Sequence, residues 1–291
     1  MHIYTKSIGF GDFSGSKMKE IERETKYAFT SHERRILDRD TDYCEYRKKF
    51  GERLALGLYG TVDMHEEFER DYAVPIFEGK GVTMYSDMTV EKRMDREAYT
   101  GICEDARVDI SIIFYIQNAM EYLREKQNGN LRRKKISITL SGLALEGTVL
   151  LPVIKNEQKK KQQKEDFRNR MMLLSAAREG NEDAIETLTL NDMNLYHQVS
   201  QRIERKEDIF SIVDTYFMPA GVECDRYSIM GEIIAMDVDV NNVTQEEILI
   251  LTLNVNEMIF DVCVPKHRVL GEPDVGRRFR TEIWLQGRIN F

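Results

Sequence analysis

The final fifteen residues hold the densest set of side chains able to do recognition chemistry. In RRFRTEIWLQGRINF the apolar residues Phe279, Ile283, Leu285, Ile289 and Phe291 share one face of an extended chain. Arg278, Arg280, Glu282, Trp284, Gln286 and Arg288 alternate onto the other face. An indole flanked by guanidinium groups on a strand can stack bases or bind an acidic peptide. The competing reading covers Trp284 with another part of the chain and leaves the arginines at its rim, the commoner fate of a large aromatic in a multidomain protein. A second cationic group, Lys159, Lys160, Lys161 and Lys164, could contact RNA or an acidic partner. Its interleaved Gln and Glu residues also fit a plain solvated helix face.

Other constellations fail on a specific requirement. IGFGDFSG resembles a dinucleotide-binding glycine turn, with Asp38 at a distance suited to a ribose, but its spacing is GxGxxxG. The segment before it, read as a first strand from Ile3 to Phe10, is too polar for a buried parallel strand, so these are expected to be turn glycines. DVDVNNVTQEE spaces Asp237, Asp239 and Asn241 like calcium ligands, yet Ile248 stands where the bidentate carboxylate is essential. A polar hairpin loop is expected there. GxSxG and HExxH are missing, and His65 has no second His one helical turn away. Cys44, Cys103, Cys224 and Cys263 are widely spaced, which argues against a zinc site or a disulfide scaffold. Acidic neighbours of Cys103 and Cys224 disfavour their thiolates. No cofactor or metal is expected.

The 291 residues carry a formal net charge of −8 and are 42% hydrophobic and 32% charged. That balance fits a globular chain and disfavours a protein whose main task is to neutralise phosphates, although a local basic patch can override the global sign. No apolar run is long enough to span a bilayer, and no export signal is read at the N-terminus, so a cytoplasmic protein is expected.

The elements that must position these residues divide into three stretches. Residues 1–154 read as an α+β domain built on a mostly antiparallel sheet: an amphipathic helix with Met18, Ile21 and Thr25 on one face, short β-branched and aromatic runs from Arg34 to Ile116, a helix stopped by Asn128 and Gly129, and strands over KKISITLSGLALEGTVLLPV. Residues 155–208 read as a charged helix and a helical connector, with Gly180 as a stop, Asn181 as a cap, and a further helix starting near Asn191 or Asp192. Residues 209–291 read as strands. Leu249, Leu251, Leu253 and Val255 form one face and Met258, Phe260, Val262 and Val264 form the next, so two strands are expected to meet across a tight turn near Asn256 and Glu257. The apolar parity shifts between Ile233 and Ile234, as at a β-bulge. This length suits a small closed barrel of the OB or SH3-like type.

The phrases YTGICED, SGLALEGTVLLPV, DIFSIVDTYFMPAGVECDRYSIMGEI, GEPDVGRR and IWLQGRINF resemble a family of uncharacterised bacterial proteins catalogued as a domain of unknown function. The resemblance runs from about Tyr99 to Phe291. It implies a single architecture found in Gram-positive anaerobes and acting inside the cell, and it carries over no active site.

Function is therefore expected to be binding: a non-enzymatic adaptor that recognises a protein partner through the Trp284 strand. The alternatives are nucleic-acid binding through that strand and the Lys159 to Lys164 helix, and an enzyme with a site in the N-terminal sheet around Tyr99 to Asp105.

Overall fold

The computed structural model describes the chain except for residues 1, 12, 14, 37–40, 95, 106, 109, 134–135, 153–156 and 206–212. Asp38, the ribose-binding candidate, lies outside the described residues. The chain opens not on a strand but on a 3₁₀ helix, Ile3–Ile8, that Gly9 ends at φ +92°. It buries Tyr4, Thr5, Ser7 and Ile8. Alternating polar and apolar residues here mimic strand periodicity over a stretch too short to separate the two. Helix α1, Gly15–Tyr27, buries Met18, Ile21 and Thr25, the face that three- and four-residue spacing marked.

Strands β1 (Ser31–Ile36), β2 (Thr41–Lys49), β3 (Leu54–Asp63) and β4 (Phe68–Phe77) form a four-stranded antiparallel sheet in sequence order. Pro75 lies in β4, an outer strand of this sheet, where a missing N–H interrupts no ladder. The rest of the β-structure is one mixed sheet. It takes in β5 (Met88–Lys92), β6 (Tyr99–Asp105), β7 (Ile110–Ile116), β8 (Ser137–Ala144), β9 (Gly147–Leu150), β10 (Tyr216–Pro219), β11 (Arg226–Val240), β12 (Glu247–Val255), β13 (Met258–Pro265), β14 (Val269–Leu270) and β15 (Arg278–Asn290). Helix α2, Ala119–Gln127, follows β7 and ends before Asn128 and Gly129. The fold class is thus α+β, with few helices.

Segment 209–291 does not close on itself. β11 pairs with β12, β12 with β13, β13 with β8, β8 with β15, and β15 with β11, so the pairings return to their start only by using β8 from the first stretch. The first and third stretches accordingly share one sheet. Inside this ring lie Leu249, Leu251, Leu253, Val255, Met258, Phe260, Val262, Val264, Phe279, Ile283, Leu285 and Ile289. Asn256 and Glu257 take positive φ in the two-residue turn between β12 and β13, and the register shifts between Ile233 and Ala235.

A second core lies on the other face of β12, β13 and β15. Ile248, Ile250, Cys263 and Trp284 pack there with Tyr4, Ile8, Phe50, Leu56, Tyr59 and Ile76, so the four-stranded sheet and the 3₁₀ helix cover the ring from outside. Two buried polar clusters fasten this seam. Arg53, beside β3, is ion-paired with Asp261 of β13 and donates from Nε to the Glu78 carbonyl at 2.7 Å. Gln286 of β15 donates to the Pro75 carbonyl at 2.8 Å, and Gln117 donates to Phe77 O at 2.7 Å and Gln286 Oε1 at 2.8 Å. These side chains occupy the edge groups that β4 would otherwise leave unpaired.

The connector is a helical hairpin, α3 (Glu157–Arg178) and α4 (Glu182–Glu204). Gly180 takes φ +87° between them and Asn181 Oδ1 accepts the Ala184 N–H at 3.0 Å, as stop and cap signals imply. No new helix starts at Asn191 or Asp192, because the turn of α4 continues through both and Arg170 of α3 pairs with Asp192 at 2.6 Å. No helix among the described residues is long and apolar enough to cross a membrane.

Candidate functional site

A cleft of about 1160 Å³ opens where β15, β11, the 3₁₀ helix and the connection after β13 meet. Arg280 and Glu282 of β15 line it, as do Arg226 and Ser228 of β11, and Lys6, His267 and Arg268. Gly9 and Gly11 of the N-terminal glycine turn form part of the wall. A Cβ on Gly9 would come within 2.8 Å of Asn241 Cβ, so packing and the positive φ together call for glycine there. Asn241, the third ligand-type position of the calcium-like run, is fully buried. Its Nδ2 donates to the Ile8 carbonyl at 2.7 Å and its Oδ1 accepts the N–H groups of Val243 and Thr244. The run is a loop clamp holding the 3₁₀ helix, and among the described residues no acidic or thiol cluster suits a metal.

Three carboxylates also line the cleft, Glu146, Glu246 and Glu282, and two of them face basic side chains. Glu282 pairs with Arg226 at 3.5 Å, and Glu246 faces His267 Nδ1 at 3.2 Å. Among the described residues neither Lys6 nor Arg268 has a carboxylate partner. Hydroxyls of Thr148, Ser228 and Thr244 add donors along the wall. Chemically the cleft can hold anions, because guanidinium and ammonium groups are hydrogen-bond donors only.

The β15 residues marked in the sequence have separate fates. Trp284 is 3% exposed, its ring 4.1 Å from His2, 5.3 Å from Tyr115 and 5.9 Å from Tyr4, so it forms no open platform. The alternation placing it outside the ring is right, but the outer face is covered. Gln286 is fully buried in the seam, where its amide serves the backbone of β4. Arg278 is also buried, donating to the carbonyls of Leu151 and Val213. Arg288 pairs with Glu121 at 3.4 Å on a smaller recess of about 270 Å³, roughly 27 Å along the strand from Arg280. Only Arg280 and Glu282 of the six reach the large cleft. Lys159, Lys160, Lys161 and Lys164 fall on α3, and their side chains lie outside the described residues.

Sequence reasoning missed Lys6, Arg226 and Arg268, which stand more than 200 positions apart at the extremes and carry no shared local signal. Around Tyr99 to Asp105, Tyr99 donates to Glu97 at 2.8 Å and Glu104 faces Arg178 at 3.6 Å. Cys103 is buried and its thiol is pushed up to about 12, first by burial and then by Asp105. Burial opposes the Asp105 charge, but the hydrogen bonds and charge of Arg107 outweigh it and hold the carboxyl below its ordinary range.

His2, beside Trp284, supplies a pH-dependent term. Burial first, then Arg93, lowers its pKa from 6.5 to about 4 against the opposing pull of Asp225. The unfolded chain therefore takes up this proton first on acidification. Stability from this group is complete above pH 6.5 and declines as pH falls toward 4. Urea unfolding of wild type and His2→Phe from pH 7 to pH 4.5 is expected to show wild type losing ground to the variant; a constant difference would contradict a half-buried neutral imidazole.

A protein-family model described as a domain of unknown function named for an E. rectale gene, DUF3881, matches residues 5–287. No curated protein and no solved structure matches the chain.

Proposed function

The chain belongs to the DUF3881 family, whose function is unknown, and from that premise we propose that it is a non-enzymatic binding protein that acts inside the cell through the cleft at Arg280. The closed ring of β11, β12, β13, β8 and β15 is read here as a small barrel of the OB or SH3-like kind that borrows β8 from outside the C-terminal segment. Its outer wall is sealed at Trp284 and open at Arg280. The observation that carries the reading is the set Lys6, Arg226, Arg268 and Arg280, which outnumbers the carboxylates Glu146, Glu246 and Glu282 on one large cleft, with two cationic members lacking a carboxylate partner among the described residues. A partner bearing negative charge fits this set, despite the acidic whole, because binding responds to the local field.

The test is thermal unfolding of wild type and of the double variant Arg268→Glu, Arg280→Glu, each titrated with citrate, tripolyphosphate and a glutamate-rich octapeptide. At least one of these anions is expected to raise the wild-type Tm in a concentration-dependent way, with the shift lost in the variant. If none of them moves the wild-type Tm, the cleft is not a binding site for anions and the proposal falls. Both arginines line the cleft rather than the cores, so the unliganded variant is expected to unfold within a few degrees of wild type.

A further inference from the structure

We infer that the occupant of this cleft is an extended peptide segment carrying acidic side chains. This deepens the binding reading above and rests on it. Three features of the walls select the class of ligand. The first is size: about 1160 Å³ lies above the roughly 300–1,000 Å³ of pockets shaped to a single small molecule. A chain of several residues fills such a space.

The second feature is the mixture along the wall. Arg268 and Arg280 stand among Leu145, Pro265 and Leu270, and Leu270 is 68% exposed. A ligand that interleaves charged and apolar groups meets both at once. A compact polyanion would leave the apolar wall wet. Thr148 and Thr244 add hydroxyls able to bond a peptide backbone, whose N–H and C=O groups need partners wherever the chain is desolvated.

The third feature separates peptide from nucleic acid. Binding of single-stranded nucleic acid draws on open aromatic faces for base stacking. Here Tyr4 is 2% exposed and packed toward Trp284, and Phe13 has Phe10 at 5.3 Å and the Lys17 ammonium over its ring at 5.5 Å. Tyr4 and Phe13 are thus already engaged by the protein's own side chains, and the third ring of the cleft, the exposed imidazole of His267, faces Glu246 at 3.2 Å. Cationic groups on a wall whose phenyl and phenol rings are already engaged suit carboxylates on a peptide.

The experiment is fluorescence anisotropy with the full chain and three labelled probes: an octapeptide alternating Glu and Leu, the same peptide with Gln for Glu, and an eight-nucleotide oligo-dT. The Glu peptide is expected to bind at least tenfold more tightly than the Gln peptide. Its affinity is expected to drop at least tenfold in the Arg268→Glu, Arg280→Glu variant and to weaken as salt rises from 50 to 200 mM. Equal binding of the Glu and Gln peptides, or tighter binding of oligo-dT than of the Glu peptide, overturns the inference. If the Glu peptide does not bind while tripolyphosphate still raises the Tm in an arginine-dependent way, the peptide class is wrong and the cleft reading stands. If no anion binds, both fail.

Discussion

Replacing Asp261 by alanine is expected to destabilise the protein by about 3–5 kcal/mol, the cost of removing one partner from a buried ion pair. Asp261 and Arg53 expose only 3% and 6% of their side chains. The carboxylate also accepts the Lys80 N–H at 2.9 Å and the Thr252 hydroxyl at 2.7 Å. Alanine would strand the guanidinium in the seam between the two sheets and take an acceptor from the partly buried Thr252 hydroxyl and Lys80 N–H. Arg53 would keep its bond to the Glu78 carbonyl and its place 4.8 Å from the Phe77 ring, which satisfy only part of its donor set. The comparison is Glu247→Ala, which breaks the Lys266–Glu247 pair, both partners 53% exposed, and is expected to cost under about 1 kcal/mol. Urea unfolding at neutral pH measures both. Similar costs for the two variants would mean that the seam admits water and that the sheets are not locked through Arg53.

Trp284→Ala is the second large effect, expected at about 3–5 kcal/mol from lost burial and the cavity left behind. The indole lies among His2, Tyr4 and Tyr115, and those neighbours belong to elements distant in sequence. Their backbones are held by other contacts, including the Asn241 clamp on Ile8, so the hole cannot close freely. The cleft at Arg280 is four residues away along β15, so binding of an anionic probe by the folded variant is expected to stay within a few-fold of wild type. A variant with unchanged stability and lost binding would restore Trp284 as a recognition residue.

Local signals were legible and tertiary coverage was not. The turn at Asn256 and Glu257, the bulge after Ile233, and the alternation of β15 each follow from a handful of neighbouring residues, and each is present. Strand closure needed β8, about 90 residues before β11, and nothing in either segment names the other. The burial of Trp284 depended on a 3₁₀ helix whose sequence, IYTKSI, reads as a strand. One clue to the coverage was present. ILIL at 248–251 is apolar at successive positions, the pattern of a strand buried on both faces, and Ile248 and Ile250 do pack in the outer core. Reading that run beside the alternation of β15 would have closed the outer face over Trp284. The cleft itself left no comparable trace, because Lys6, Arg226, Arg268 and Arg280 come from four separate pieces of chain.

The sealed seam and the open cleft are two halves of one statement about β15, and the chain's single tryptophan reports on it directly. Iodide quenching of Trp284 fluorescence in the native protein, referred to the same protein in urea, is the decisive measurement. A native emission shifted to short wavelength, with a quenching slope a small fraction of the unfolded one, is the expected result. Native emission at the wavelength of the unfolded chain, with an equal slope, would place the indole in water and contradict the arrangement of the two sheets around it.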